Sequence, residues 1–78
     1  MPSSATERRV LRAPDRLARA AARYAPDREA AWMLRQPREL RRSFAEEAFG
    51  RGETVEQAWM LRQSDEVREA YVREVLGL

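Results

Sequence analysis

The chain has 78 residues, with 15 basic and 13 acidic side chains and neither His nor Cys. Every basic residue is Arg, and thirteen of the apolar residues are Ala, so few large side chains remain to build a core. Disulfides, structural zinc, thiol nucleophiles and imidazole bases are thereby excluded; a core of this size supplies only about 3–5 kcal/mol, which points to support from a partner or a second copy.

No stretch alternates with period two, and Ala, Leu, Arg, Glu, Gln and Met dominate, so the pattern predicts helix throughout. Ser4-Ala5-Thr6-Glu7 is a capping box opening a first helix to about Arg12. Pro14 breaks or kinks it, and Asp15 opens a second helix to Tyr24. Pro26-Asp27 starts a third helix ending at Gln36. Pro37 sits in the first turn of a fourth, which runs to Phe49 with Gly50 as its C-terminal cap. Thr54-Val55-Glu56-Gln57 is a second capping box, opening a short fifth helix to Arg62. Ser64 caps a sixth, which ends at Leu76 before Gly77.

The strongest pattern is a duplication. Residues 27–50 read DREAAWMLRQPRELRRSFAEEAFG and residues 54–77 read TVEQAWMLRQSDEVREAYVREVLG, identical at 11 of 24 positions and sharing the unbroken run AWMLRQ. Non-identical positions match in role, as in Leu40 and Val67 or Phe44 and Tyr71. Each copy is a short helix, a tight turn, a longer helix and a glycine, which is one αα-hairpin. A lone hairpin cannot bury its apolar face, so the two should stack as an all-α domain with an approximate two-fold. A basic helical segment, residues 1–26, precedes them. On the long helix, Leu40, Phe44, Ala45, Ala48 and Phe49 span about half the circumference at roughly 100° per residue. Val67, Tyr71, Val72, Val75 and Leu76 repeat that arc. The second helix offers Leu17, Ala20, Ala21 and Tyr24 as a face to cover one flank.

Catalysis has few parts to draw on. Glu46-Glu47 and Asp65-Glu66-Glu69 are the densest carboxylate groups, and on charged helices they read as solvated faces rather than metal or acid–base sites. Gly50 and Gly52 lack the Gly-Lys-Ser/Thr ending and preceding strand of a phosphate loop. No cofactor and no metal are expected. No run approaches the roughly 18 apolar residues of a membrane span, and the N-terminus lacks an apolar signal core. Arg to the exclusion of Lys points to a GC-rich genome and so to a bacterial cytoplasm.

Two features suggest function. Trp32-Met33-Leu34 and Trp59-Met60-Leu61 put three large side chains about 100° apart on short helices, more than one flat contact covers. Trp32 and Trp59 are therefore assigned to the contact between hairpins, with their N–H groups satisfied, and Met33 and Met60 to an outward, adaptable surface for a protein partner or a second copy. The chain then reads as a small non-enzymatic interaction module, a homodimer or an adaptor. The alternative rests on the N-terminal Arg. Arg12, Arg16, Arg19 and Arg23 form one stripe if Pro14 only kinks the helix, and such a stripe could follow a phosphate backbone. Finally, Arg35, Arg62, Glu47 and Glu74 recur in both copies inside apolar arcs, where a charge needs a partner. Within one hairpin Arg35 and Glu47 are too far apart, so a two-fold predicts the crossed pairs Arg35–Glu74 and Arg62–Glu47.

Overall fold

The computed structural model describes residues 8–51 and 55–78. Among them every regular element is helical and no strand occurs. A first turn, α1, covers residues 8–11. There follow α2 (Asp15–Ala21), tightening into a 3₁₀ turn at Ala22–Tyr24, then α3 (Arg28–Leu34), α4 (Arg38–Arg51), α5 (Val55–Leu61) and α6 (Asp65–Tyr71), whose continuation Val72–Leu76 widens to π geometry.

The boundaries follow the local chemistry. The chain leaves helix at Arg12 and re-enters after Pro14, whose carbonyl accepts the Ala18 N–H at 3.0 Å. Asp27 caps α3 by accepting the Ala30 N–H at 2.8 Å, and Ser64 caps α6 by accepting the Val67 N–H at 3.4 Å. Pro37 stands just before α4 and its carbonyl takes the Arg41 N–H at 3.1 Å. The repeated Gln closes each short helix: Gln36 and Gln63 donate from Nε2 to the carbonyls of Trp32 and Trp59, both at 3.0 Å. The two capping boxes, Ser4–Glu7 and Thr54–Gln57, depend on residues outside the described ones. Gly50 is not the expected stop, for α4 runs through it to Arg51. An exposed glycine costs a helix roughly 0.5–1 kcal/mol without ending it, and nothing at Gly50 requires a left-handed backbone. Gly77 does take that conformation (φ 75), and Leu78 N–H then turns back to the Val72 carbonyl at 3.2 Å.

Leu11, Ala18, Trp32, Met33, Leu34, Ala45 and Trp59 form one buried cluster. The 3₁₀ turn and α2 pack on α3, α4 packs on α5, and α3 packs on the π turn that ends α6. The face that α2 buries is Ala18, Ala21 and Ala22; Leu17, Ala20 and Tyr24, expected inside with Ala21, are exposed. The reason lies in Asp15, which is held by a buried arginine of α4 and so fixes the rotation of α2 about its axis.

Candidate interaction surface

The first and second copies of the repeat meet through their aromatic residues. Trp32 stands edge-on to Tyr71 and Trp59 edge-on to Phe44, with ring centroids 5.3 Å apart in both cases and interplanar angles of 84° and 87°. Tyr71 and Phe44 occupy equivalent positions, so the second contact is the first with the copies exchanged. Both indoles are fully buried. Their N–H groups differ. Trp59 donates from Nε1 to Ser43 Oγ at 3.0 Å, whereas Trp32 Nε1 has no partner among the described residues. The position equivalent to Ser43 is Ala70, which has no hydroxyl to offer. The expectation of two satisfied indoles therefore fails at Trp32.

The structure also brings together Arg35 with Glu74, at 3.0 Å, and Arg62 with Glu47. It corrects their placement. Arg35, Arg62 and Glu74 are exposed and Glu47 is half-buried, because the pairs form at the rim, where the end of one long helix passes the turn of the other copy. Exposed pairs of this kind contribute about 0–1 kcal/mol each. Tyr71 adds a link across the copies by donating its hydroxyl to Glu29. Burial first, and that carboxylate second, push the Tyr71 hydroxyl above its ordinary value.

The residue that sequence reasoning missed is Arg41, whose side chain is 0% exposed. Its Nε donates to the Leu11 carbonyl at 3.0 Å and its Nη1 to Asp15 Oδ1 at 2.8 Å, with further bonds to the carbonyls of Gln36 and Ala13. The Leu11 and Ala13 carbonyls lie at the break between α1 and α2 and that of Gln36 at the turn between α3 and α4, so Arg41 supplies donors at both interruptions. The Arg41 hydrogen bond holds the Asp15 carboxyl below its ordinary value. One signal was available in the sequence: Arg41 is kept in the second copy as Arg68. Arg68 is partly exposed and among the described residues reaches only the Leu61 carbonyl, at 3.4 Å, and Asp65 beside it.

The expected methionine surface is also corrected. Met33 is buried, at 5% exposure, and Met60 is half-buried. The outward residue of the fifth helix is Leu61, at 71%, although its equivalent Leu34 is at 7%. Residues 8–25 lie over α3 and α4 of the first copy and do not cover Leu61, although Val55 and Trp59 of the second copy are buried. Arg68, Val72 and Leu78 line a shallow groove there with Asp65, Glu69 and Arg73, and Leu76 is exposed nearby. The N-terminal arginines Arg12, Arg16, Arg19 and Arg23 are all exposed. They are not one stripe, because the chain breaks at 12–14 and Arg12 belongs to a separate turn. Arg8, Arg9 and Arg12 share a groove at that break, and Arg8 also lies 5.7 Å over the Phe49 ring.

Among the described residues no group of acidic side chains is arranged to hold a metal ion, and no helix is long and apolar enough to cross a membrane. No family model, curated protein or solved structure matches the chain.

Proposed function

We propose that the chain is two αα-hairpin repeats related by an approximate two-fold, and that it works as a non-enzymatic protein-interaction module. The exchange of Trp32–Tyr71 for Trp59–Phe44 supports the repeat reading. The observation that carries the function is the contrast between Leu34, at 7% exposure, and Leu61, at 71%. Equivalent positions of a duplicated sequence keep the same side chain, yet only one is covered. Leu61 is exposed and its carbonyl accepts from Arg68 at 3.4 Å, and Arg68 lines a groove with Val72 and Leu78 (87% exposed); exposed apolar side chains with mixed charge among them have the composition of a docking face. The surface lies on the second copy alone and is built from Leu61, Val72 and Leu78 rather than from Met33 and Met60. Covering it would stabilise a chain whose own core is small.

The test changes Leu61 and Leu78 together to Glu. Both are exposed, so helical content and melting temperature should stay near wild type. The proteins that wild type retains from its native host, or its concentration-dependent size if it pairs with itself, should be lost. Retention and size unchanged by the double substitution would sink the reading.

A second reading has one observation behind it, the clustering of exposed Arg8, Arg9 and Arg12 in one groove with Arg16, Arg19 and Arg23 nearby. That reading is phosphate contact on a nucleic acid. It calls for duplex-DNA or RNA retention that falls steeply with salt and vanishes when Arg16 and Arg19 are changed to Glu.

A further inference from the structure

The covered face of the first copy shows what the bare face of the second is shaped to hold. In the first copy, residues 8–25 lie against the repeat: Leu11 and Ala18 join Met33 and Leu34 in the core, and Arg41 takes the carbonyls of Leu11 and Ala13 and the carboxylate of Asp15. Met33, Leu34 and Arg41 recur 27 residues on as Met60, Leu61 and Arg68, while the buried Ala45 is replaced by Val72. In the second copy Leu61 is exposed and Arg68, its stem partly uncovered, lines an open groove with Val72 and Leu78.

Resting on the interaction reading above, we infer that this groove takes a basic helical arm of the same kind from another protein: a short Ala- and Leu-containing helix that ends in a break, presents its free carbonyls to Arg68, and buries a leucine against Leu61. Charge supports that chemistry. Residues 8–25 carry six Arg and one Asp, while residues 55–78 carry three Arg against five carboxylates. Within the groove Asp65 and Glu69 balance Arg68 and Arg73, whereas the equivalent positions of the first copy are Arg38, Arg41, Arg42 and Glu46, a net +2, so the groove repels a basic arm less than the face that already holds one.

The chain's own arm cannot fill both faces. It is joined to α3 through Ala25, Pro26 and Asp27, and three residues span at most about 10 Å, so it is tethered to the first copy. Exchange of residues 8–25 between two molecules fails as well, because each such segment fills one face, and one face per molecule stays bare of it however the segments are dealt.

The probe is a synthetic, end-capped peptide of residues 8–25 added to the full chain. It should bind saturably with one site per chain. Binding should weaken at least tenfold in Leu61→Glu and in Arg68→Ala, both of which should melt as wild type does. It should weaken similarly when Arg16 and Arg19 of the peptide are changed to Glu. Absence of binding at millimolar peptide overturns the inference. So does binding that survives Leu61→Glu and Arg68→Ala, since the peptide would then be displacing the resident arm from the first copy. If the peptide does not bind but the chain self-associates through Leu61, the occupant is a second copy; this partner is then wrong while the docking face itself stands. If Leu61→Glu and Leu78→Glu change no association of any kind, the docking face falls too.

Discussion

Arg41 and Arg68 stand at the same place in the two copies of the repeat, one entirely enclosed and the other at the edge of an open groove. Both arginines follow the same AWMLRQ run, but Arg41 is flanked by Arg38, Arg42 and Ala45 and Arg68 by Asp65, Glu69 and Val72. Residues 8–25 lie against Arg41 and not against Arg68. The duplicated sequence therefore sets the same arginine and leucine in two surroundings, and residues 8–25 cover them in only one. An identical side chain then contributes very differently to stability, which makes the two copies internal controls for each other.

The largest effect expected from that contrast is at the arginines. Arg41→Ala leaves the carbonyls of Leu11, Ala13 and Gln36 and the Asp15 carboxylate without their donor. Removing one side of such a buried arrangement costs about 3–5 kcal/mol, comparable to the whole stability of a domain this small. The variant should be unfolded by circular dichroism at room temperature. Arg68→Ala, at the matching position, should shift stability by no more than about 0.5 kcal/mol. Equal effects from the two substitutions would mean that residues 8–25 do not enclose Arg41 in solution.

Leu34 and Leu61 come next. Leu34→Ala empties a packed site and should cost about 2–5 kcal/mol, whereas Leu61→Ala removes a side chain already in water and should cost less than about 0.5 kcal/mol. Urea midpoints of the two variants measure the difference directly.

A smaller contrast lies at the indoles. Ser43→Ala strips the Trp59 N–H of its acceptor and should cost about 1–3 kcal/mol. Ala70→Ser places a hydroxyl at the equivalent position beside Trp32, whose N–H has no partner among the described residues, and should stabilise by about 0.5–1.5 kcal/mol. A neutral or destabilising Ala70→Ser would show that Ala70 does not stand to Trp32 as Ser43 stands to Trp59.

Local chemistry was readable from sequence wherever the decision is local. Asp27 and Ser64 cap helices as their side chains require, and the crossed partners of Arg35 and Arg62 follow from the reach of an arginine and the spacing of the repeat. Features decided by a distant segment were not. The shared AWMLRQ run makes Met33 look like Met60 and Arg41 like Arg68, and coverage depends on where residues 8–25 come to rest. The same holds for α2, where large Leu17 and Tyr24 looked like the buried face. The bond from Asp15 to Arg41 turns Ala18 inward instead, and its small side chain allows close approach. Gly50 misled for a different reason: a glycine permits a helix to end but does not compel it.

The smallest effects concern pH, and Asp15 of the arm and Glu56 of the second copy contribute with opposite sign. Asp15, which ties the arm to the first copy, has its carboxyl held below the ordinary value of 3.8 chiefly by the Arg41 hydrogen bond. A depressed folded-state value means that its contribution is present above pH 3.8 and is lost as pH falls through the folded value. Glu56, in the second copy, is displaced the other way, raised above 4.5 by burial and then by the nearby carboxylates of Glu29 and Asp27. Its contribution is complete below pH 4.5 and is lost as pH rises through the folded value. Thermal stability should therefore decline on the acid side through Asp15 and on the neutral side through Glu56. Asp15→Asn should lower the melting temperature at pH 7 and flatten its fall below pH 4. Glu56→Gln should raise the melting temperature at pH 7 and leave it unchanged at pH 3, where wild-type Glu56 is already protonated. A Glu56→Gln variant that gains nothing at pH 7 would mean that this carboxylate, exposed on α5, feels neither burial nor Glu29 and Asp27.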